Sequence, residues 1–288
     1  MKIKRPFVGI LAFSIVLLTM PLGHACMILM EKIFSHSFLY KGAFILGILG
    51  IIFLIAGSFV KNRNRATISG LFSGLLVWTG WIEFSYVYIS RRHNIAPLIE
   101  NGEIVTKPEY LLLPSSLGFL AVLFIYFLFS ANTRCVFLGW FQDKFRLKKK
   151  ENIKSSGNNP ALSTFIELIS VLWTFYIVLL LVYDKQLFGD KHPVTYFVAF
   201  GSLFWSLYLF SRLVKIGDVG YAIRYAIPTV IIFWNFIEVL GRWNMFREIW
   251  IEPSLYWGEM LIITFILILL TVLFYFEKKI ILKITNRK

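Results

Sequence analysis

Runs of roughly 20 apolar residues recur along this chain, and no other feature constrains its fold as much. A helix of that length rises about 30 Å, the thickness of a bilayer's hydrocarbon core. Inside that layer every backbone N–H and C=O must find a partner within the protein, which leaves helices or closed barrels. A barrel would read as alternating segments of about ten residues, and these runs do not alternate. The chain reads as an all-α polytopic membrane protein. Its charge content agrees, because 16% of the 288 residues are charged, where a soluble domain keeps about a quarter.

Eight runs are long enough to cross: residues 6–30, 42–60, 67–89, 111–131, 161–183, 194–214, 220–240 and 256–276. The first imitates a signal peptide. Lys2, Lys4 and Arg5 precede the apolar stretch, and Gly23-His24-Ala25-Cys26 resembles a poor lipoprotein cleavage site. The run continues past Cys26 to Met30, so it is expected to stay and span, with a kink at Pro21. Asn101-Gly102 and Lys107-Pro108 are turn signals in the polar loop 90–109. The one long polar connector, 132–160, carries Lys148-Lys149-Lys150. Near its start, Phe137, Trp140, Phe141 and Phe145 alternate with polar residues and predict a helix lying at the interface.

Basic residues set the orientation. With the N-terminus inside, the inner segments hold 21 of the 30 Lys and Arg but only five of the 16 acidic residues. The balance is +16 inside against −2 outside, which predicts that both termini are cytoplasmic. A net charge of +14 would suggest nucleic acid in a soluble protein; here it marks cytoplasmic loops, and no nucleic-acid partner is expected. The expected partners are the bilayer itself, anionic lipids at 148–150, and partner membrane subunits. A lean toward Lys, Ile, Phe and Asn suggests a bacterial source, hence the inner membrane.

The eight runs divide at the connector into halves of four, 1–131 and 161–288. At an offset of 155 residues Ile82, Glu83 and Arg92 match Ile237, Glu238 and Arg247, while Trp78 and Trp81 fall on Phe233 and Phe236. Val60-Lys61 matches Val214-Lys215 at an offset of 154. Four helices per half give both halves the same orientation, so a duplication would make parallel repeats about an axis along the membrane normal.

Glu83 and Glu238 are the residues most in need of explanation. Each lies inside an apolar run, where a carboxylate needs a partner or a proton. Glu83 has Tyr86 and Val87 as its helical neighbours, and Arg92 faces the other way; Glu238 has Arg242 four residues on. The expectation is cross-pairing between halves, with Glu83 facing Arg242 or Arg247 and Glu238 facing Arg92. His24 and Glu31 are two turns apart on one face of the first run. Glu167, low in the fifth run, reads as interfacial and solvated. The candidate binding residues are therefore Glu83, Arg92, Glu238, Arg242, Arg247, His24 and Glu31.

Other chemistries lack their signatures. No HxxxH or HxxE pair suggests a metal, and Cys26 and Cys135 fall on opposite sides. No glycine-rich phosphate loop, serine-hydrolase elbow or CxxC is present. No cofactor is identified, although His24 is the first candidate should haem bind. Three function classes fit. The first is transport or binding of a small solute, ion or lipid-like molecule through an outer charged cluster. The others are a non-catalytic subunit of a larger complex and an enzyme acting on a lipid or quinone at the outer leaflet.

Overall fold

A computed structural model describes residues 4–100, 103–129, 136–145 and 159–285. In chain order the elements are α1 (Phe7–Ile33), α2 (His36–Phe59), α3 (Arg63–Val77), a π-helical turn (Trp78–Glu83), α4 (Phe84–Arg92), strands β1 (Leu98–Glu100) and β2 (Glu103–Thr106), α5 (Pro108–Leu112), a 3-10 turn (Leu113–Ser116), α6 (Leu117–Phe129), α7 (Val136–Lys144), α8 (Pro160–Tyr183), α9 (Pro193–Leu213), α10 (Val219–Arg242) and α11 (Trp257–Thr285). Among the described residues seven helices are long and apolar enough to cross a membrane: α1, Phe38–Phe59 of α2, Pro108–Tyr126, α8, α9, α10 and Trp257–Phe276 of α11. The chain is accordingly a multi-pass helical membrane protein. The Lys148–Lys150 run, Cys135 and Asn101-Gly102 lie outside the described residues.

The expected run at 67–89 is where sequence and structure part. It is divided among α3, the π turn and α4, which follow one another without a break. This path runs the length of the bundle: Arg65 donates to the Tyr275 backbone oxygen on α11 at 3.2 Å, while Arg91 reaches Glu31 on the last turns of α1 at 3.0 Å. The loop 90–109 also differs, since β1 and β2 pair antiparallel there, with Ile99 opposite Ile104. α2 begins six residues before the apolar run at 42 because its first turns carry polar residues.

Sequence fixes the helix starts by local chemistry. The side chains of Asn62, Asn159 and Asp218 accept backbone N–H groups at the N-termini of α3, α8 and α10. α4 and α10 both end on an asparagine of left-handed conformation, Asn94 and Asn244. α1 stays continuous through Pro21.

α10 is the centre of the bundle, 61% buried against 17% for the peripheral α11. It packs on α9, α1 and α8; α3 packs on α2, α8 and α10. Close approach needs small residues here. A Cβ on Gly70 of α3 would overlap the Ala161 backbone of α8. The core runs through α1, α3, α8 and α10, with Val16, Leu71, Leu168, Ile223 and Ile227 buried. The apolar faces of α2, α6 and α11 point outward, as lipid-facing surfaces do. α7 forms as expected, but it presses Phe137 and Leu138 into this core, against Phe175 and Trp205.

Glu167 is the clearest correction at the end that holds Arg5 and Arg65. It is not solvated: it is fully buried and accepts from Arg224 Nε at 2.9 Å. The reason is packing, because α8 turns that face toward α10 rather than toward the surface.

Candidate functional site

The site lies toward the opposite end of the bundle, where the two carboxylates singled out by sequence come to one cavity. α1, the π turn with α3, α8 and α10 line a cavity of about 50 Å³, room for a few waters. Glu83, Glu238 and His24 all line it. Among the described residues no arginine is paired with either carboxylate. Glu83, 7% exposed, accepts from the Trp78 indole nitrogen at 3.0 Å. Glu238 accepts from the Trp234 indole nitrogen at 2.6 Å, and His24 Nε2 stands 3.4 Å from the same oxygen.

Local helix geometry explains both pairings. Trp234 and Glu238 are four apart on a regular α-helix, so they share a face. Trp78 and Glu83 are five apart and would not share one on an α-helix. The π turn, with its i→i+5 hydrogen bonding, brings them together. It is anchored from outside: Trp81 donates to the Phe44 backbone oxygen of α2 at 3.1 Å, and Gly80 lies directly against Ala43 and Gly47.

The remaining wall is aromatic and amide. Tyr176 of α8 stacks edge-on against Trp78 and against Tyr110, and His24 stacks on Trp234. Asn235 is 2% exposed, lines the cavity, and its amide nitrogen has no hydrogen-bond partner among the described residues. A buried donor left in this state costs roughly 1–3 kcal/mol, so the cavity is prepared to present an acceptor to it.

The expected cross-pairing does not occur. Arg242 pairs with Asp190 at 2.9 Å and lies over the Tyr183 ring. Arg92 donates to the Tyr88 hydroxyl at 2.9 Å, and Arg247, exposed, donates to Tyr256. Each arginine finds an acceptor closer to its own helix end than a carboxylate held inside the bundle. Glu31 does not join His24 either, because it is taken by Arg91 and Lys107. Of the seven candidates, then, His24, Glu83 and Glu238 converge, and Glu31, Arg92, Arg242 and Arg247 lie outside the cavity lining.

Trp78, Trp234, Asn235, Tyr176 and Glu248 were not singled out by sequence. Trp234 carried a signal, four residues before a glutamate; Trp78 did not, because five-residue spacing is meaningful only across a π turn. Glu248 sits beyond the membrane-spanning part of α10. Burial first, and the nearby Glu238 charge second, push its carboxyl up to about 7. Among the described residues no group of three or more His, Cys, Asp or Glu is placed to hold a metal.

Comparison with protein-family models, characterised proteins and solved structures finds nothing that matches this chain.

Proposed function

We propose that this protein binds a small monovalent cation, of the size of ammonium or methylammonium, in the cavity between α1, the π turn, α8 and α10, and carries it across the inner membrane. The observation behind the reading is that two carboxylates converge on one cavity with no Lys or Arg among its described lining residues. In a low-dielectric setting such carboxylates require cations or protons. The indole faces of Trp78 and Trp234 and the Tyr176 ring suit a cation as well. The unpartnered Asn235 amide is matched by water accompanying the ion.

The reading includes eight crossings, counting the α3–π–α4 path as the third, and cytoplasmic termini. It also includes two parallel halves, and the packing supports that. α3 rests on α2 and on α8, the first helix of the second half; α10 rests on α9 and on α1, the first helix of the first half. Asn62 and Asp218, the caps of α3 and α10, and Trp78 and Trp234 share an offset of 156, and the extra residue of the π turn returns the glutamates to 155. The polybasic segment 148–150 is assigned to anionic lipid on the cytoplasmic face.

The test is calorimetric titration of ammonium and methylammonium into the purified protein in lipid nanodiscs. Glu83→Gln and Glu238→Gln should accumulate normally and each weaken binding at least about tenfold, ~1.4 kcal/mol. Unchanged affinity in both variants sinks the cation site. Uptake of labelled methylammonium into proteoliposomes separates a carrier from a static binder. A partner chain co-purifying at equal stoichiometry favours the subunit reading instead, and a tightly bound quinone or lipid favours the enzyme.

A further inference from the structure

Glu248 lies in the loop between α10 and α11, yet it is not out in solvent. It folds back over the end of α10, and its carboxylate occupies the space a side chain on Gly241 would take: a Cβ there would overlap Glu248 Oε1. Gly241 is three residues past Glu238, so this vacancy brings a loop carboxylate to within one helical turn of the cavity wall. Trp250 donates its indole hydrogen to Glu248 and packs on Trp234, with ring centroids 4.9 Å apart. Trp234 in turn donates to Glu238. The four groups form one connected patch running from loop to cavity.

The charged and titratable groups around Glu248 come from every neighbouring element. Glu238 and Arg242 belong to α10 and His24 to α1. Tyr183 of α8 is also within electrostatic reach, and its buried hydroxyl has no hydrogen-bond partner. Asp190, from the loop after α8, holds Arg242 at 2.9 Å and so keeps that guanidinium engaged. Inside the cavity stand Glu83 and the unpartnered Asn235 amide. Glu248 is thus the carboxylate through which this enclosed patch meets the aqueous loop.

We infer that Glu248, seated in the notch left by Gly241, is the proton door of the cavity, passing protons between the Glu238–His24 pair and water. The inference rests on the cation reading for its cargo, but the proton site can be tested without any cargo. When a monovalent cation enters, one proton leaves the patch by way of water and Glu248 and passes to the aqueous loop. When the cation departs, the proton returns by the same route. One positive charge is exchanged for another, so the cavity's charge is conserved. A carboxyl that titrates near 7 is matched to this exchange at neutral pH, where it gives up and takes back a proton with equal ease.

The experiment uses the full-length protein in nanodiscs and two readouts. The first is intrinsic tryptophan fluorescence against pH, since Trp250 is bonded to the titrating group. The wild type should show a transition centred near pH 7. Glu248→Gln should abolish it, and Gly241→Ala should abolish or shift it by at least one pH unit, because the added methyl displaces the carboxylate. Gly258→Ala, whose Cβ would meet nothing within 4 Å, should leave it unmoved. The second readout is the rate of proton release into weakly buffered solution on rapid mixing with methylammonium, which should fall at least fivefold in Glu248→Gln while methylammonium binding persists. A transition near pH 7 that survives Glu248→Gln overturns the proton door, as does proton release at the wild-type rate in that variant. Should methylammonium fail to bind the wild type while the fluorescence transition follows Glu248, the cation reading falls and the proton site stands. Where Gly241→Ala does not accumulate, Glu248→Gln alone decides, because glutamine preserves the shape of the side chain.

Discussion

At the end of the bundle that holds Arg5 and Arg65, Glu167 of α8 is fully buried and meets Arg224 of α10 at 2.9 Å. Toward the other end, Glu83 and Glu238 meet indole nitrogens and a histidine around a cavity. All three are glutamates within helices of one bundle, and the difference lies in their partners. A guanidinium matches a carboxylate in charge as well as in hydrogen bonding, so the Glu167–Arg224 pair is balanced in charge. An indole satisfies one lone pair and supplies no charge. The first arrangement ties two helices together through opposite charges; the second gives each carboxylate a hydrogen-bond donor from an indole. Within the second region the two carboxylates differ again. Glu238 has both Trp234 and His24, whereas Trp78 is the hydrogen-bond partner of Glu83.

The contrast can be broken most forcefully at its structural end. Arg224→Ala strands a buried carboxylate, which costs about 3–5 kcal/mol. The expected outcome is a protein that fails to accumulate or unfolds far below the wild type in a thermal scan, while Glu83→Gln unfolds normally. Equal behaviour of the two variants would erase the distinction between a tie and a site.

Next in size is the support of the π turn. A Cβ on Gly80 would stand 2.6 Å from the Ala43 backbone oxygen and from the Gly47 nitrogen, so Gly80→Ala must push α2 away. Overpacking of this kind costs about 1–3 kcal/mol. Cation affinity is expected to fall together with thermal stability, since the turn aims Glu83. An affinity loss without a stability loss would show that α2 does not hold the turn.

Removing the indole N–H groups sharpens the comparison between the halves. A hydrogen bond to a charged group contributes about 1.5–3 kcal/mol. Trp78→Phe removes the one bond Glu83 receives from a side chain in the described structure, so binding is expected to drop about tenfold or more. Trp234→Phe leaves His24 beside Glu238, and a smaller loss is expected. Reversal of that order, read by calorimetry, would mean that Glu238 carries the site.

The smallest effect concerns pH. The Glu248 carboxyl is raised from 4.5 to about 7, chiefly by burial. Between those values the folded protein holds a proton that the unfolded chain has released, so stability falls as pH rises from about 4.5 to about 7 and is level above. Glu248→Gln should flatten that part of the curve of unfolding temperature against pH. An unaltered slope would assign the dependence to another group.

Much of the architecture was legible in residue order alone. Hydrophobic runs dictate membrane-spanning helices because the bilayer offers backbone groups no other partner. A carboxylate inside such a run is conspicuous for the same reason, and so Glu83 and Glu238 stood out before any coordinates. Their partners were not legible. Helical spacing suggested Arg242 for Glu238, but Asp190, brought near by the loop after α8, holds Arg242 instead. Glu167 read as solvated because the side it presents to α10 depends on how α8 is rotated. The pairing of Glu83 with Trp78 depends on a π turn held in place by α2, and the seat of Glu248 on Gly241 depends on a loop folding back by itself. Sequence periodicity describes one helix at a time, so it determined that the chain is a multi-pass helical membrane protein and that Glu83 and Glu238 lie inside its apolar runs. Which charge meets which partner is a property of distances between helices, and only the tertiary structure decided it.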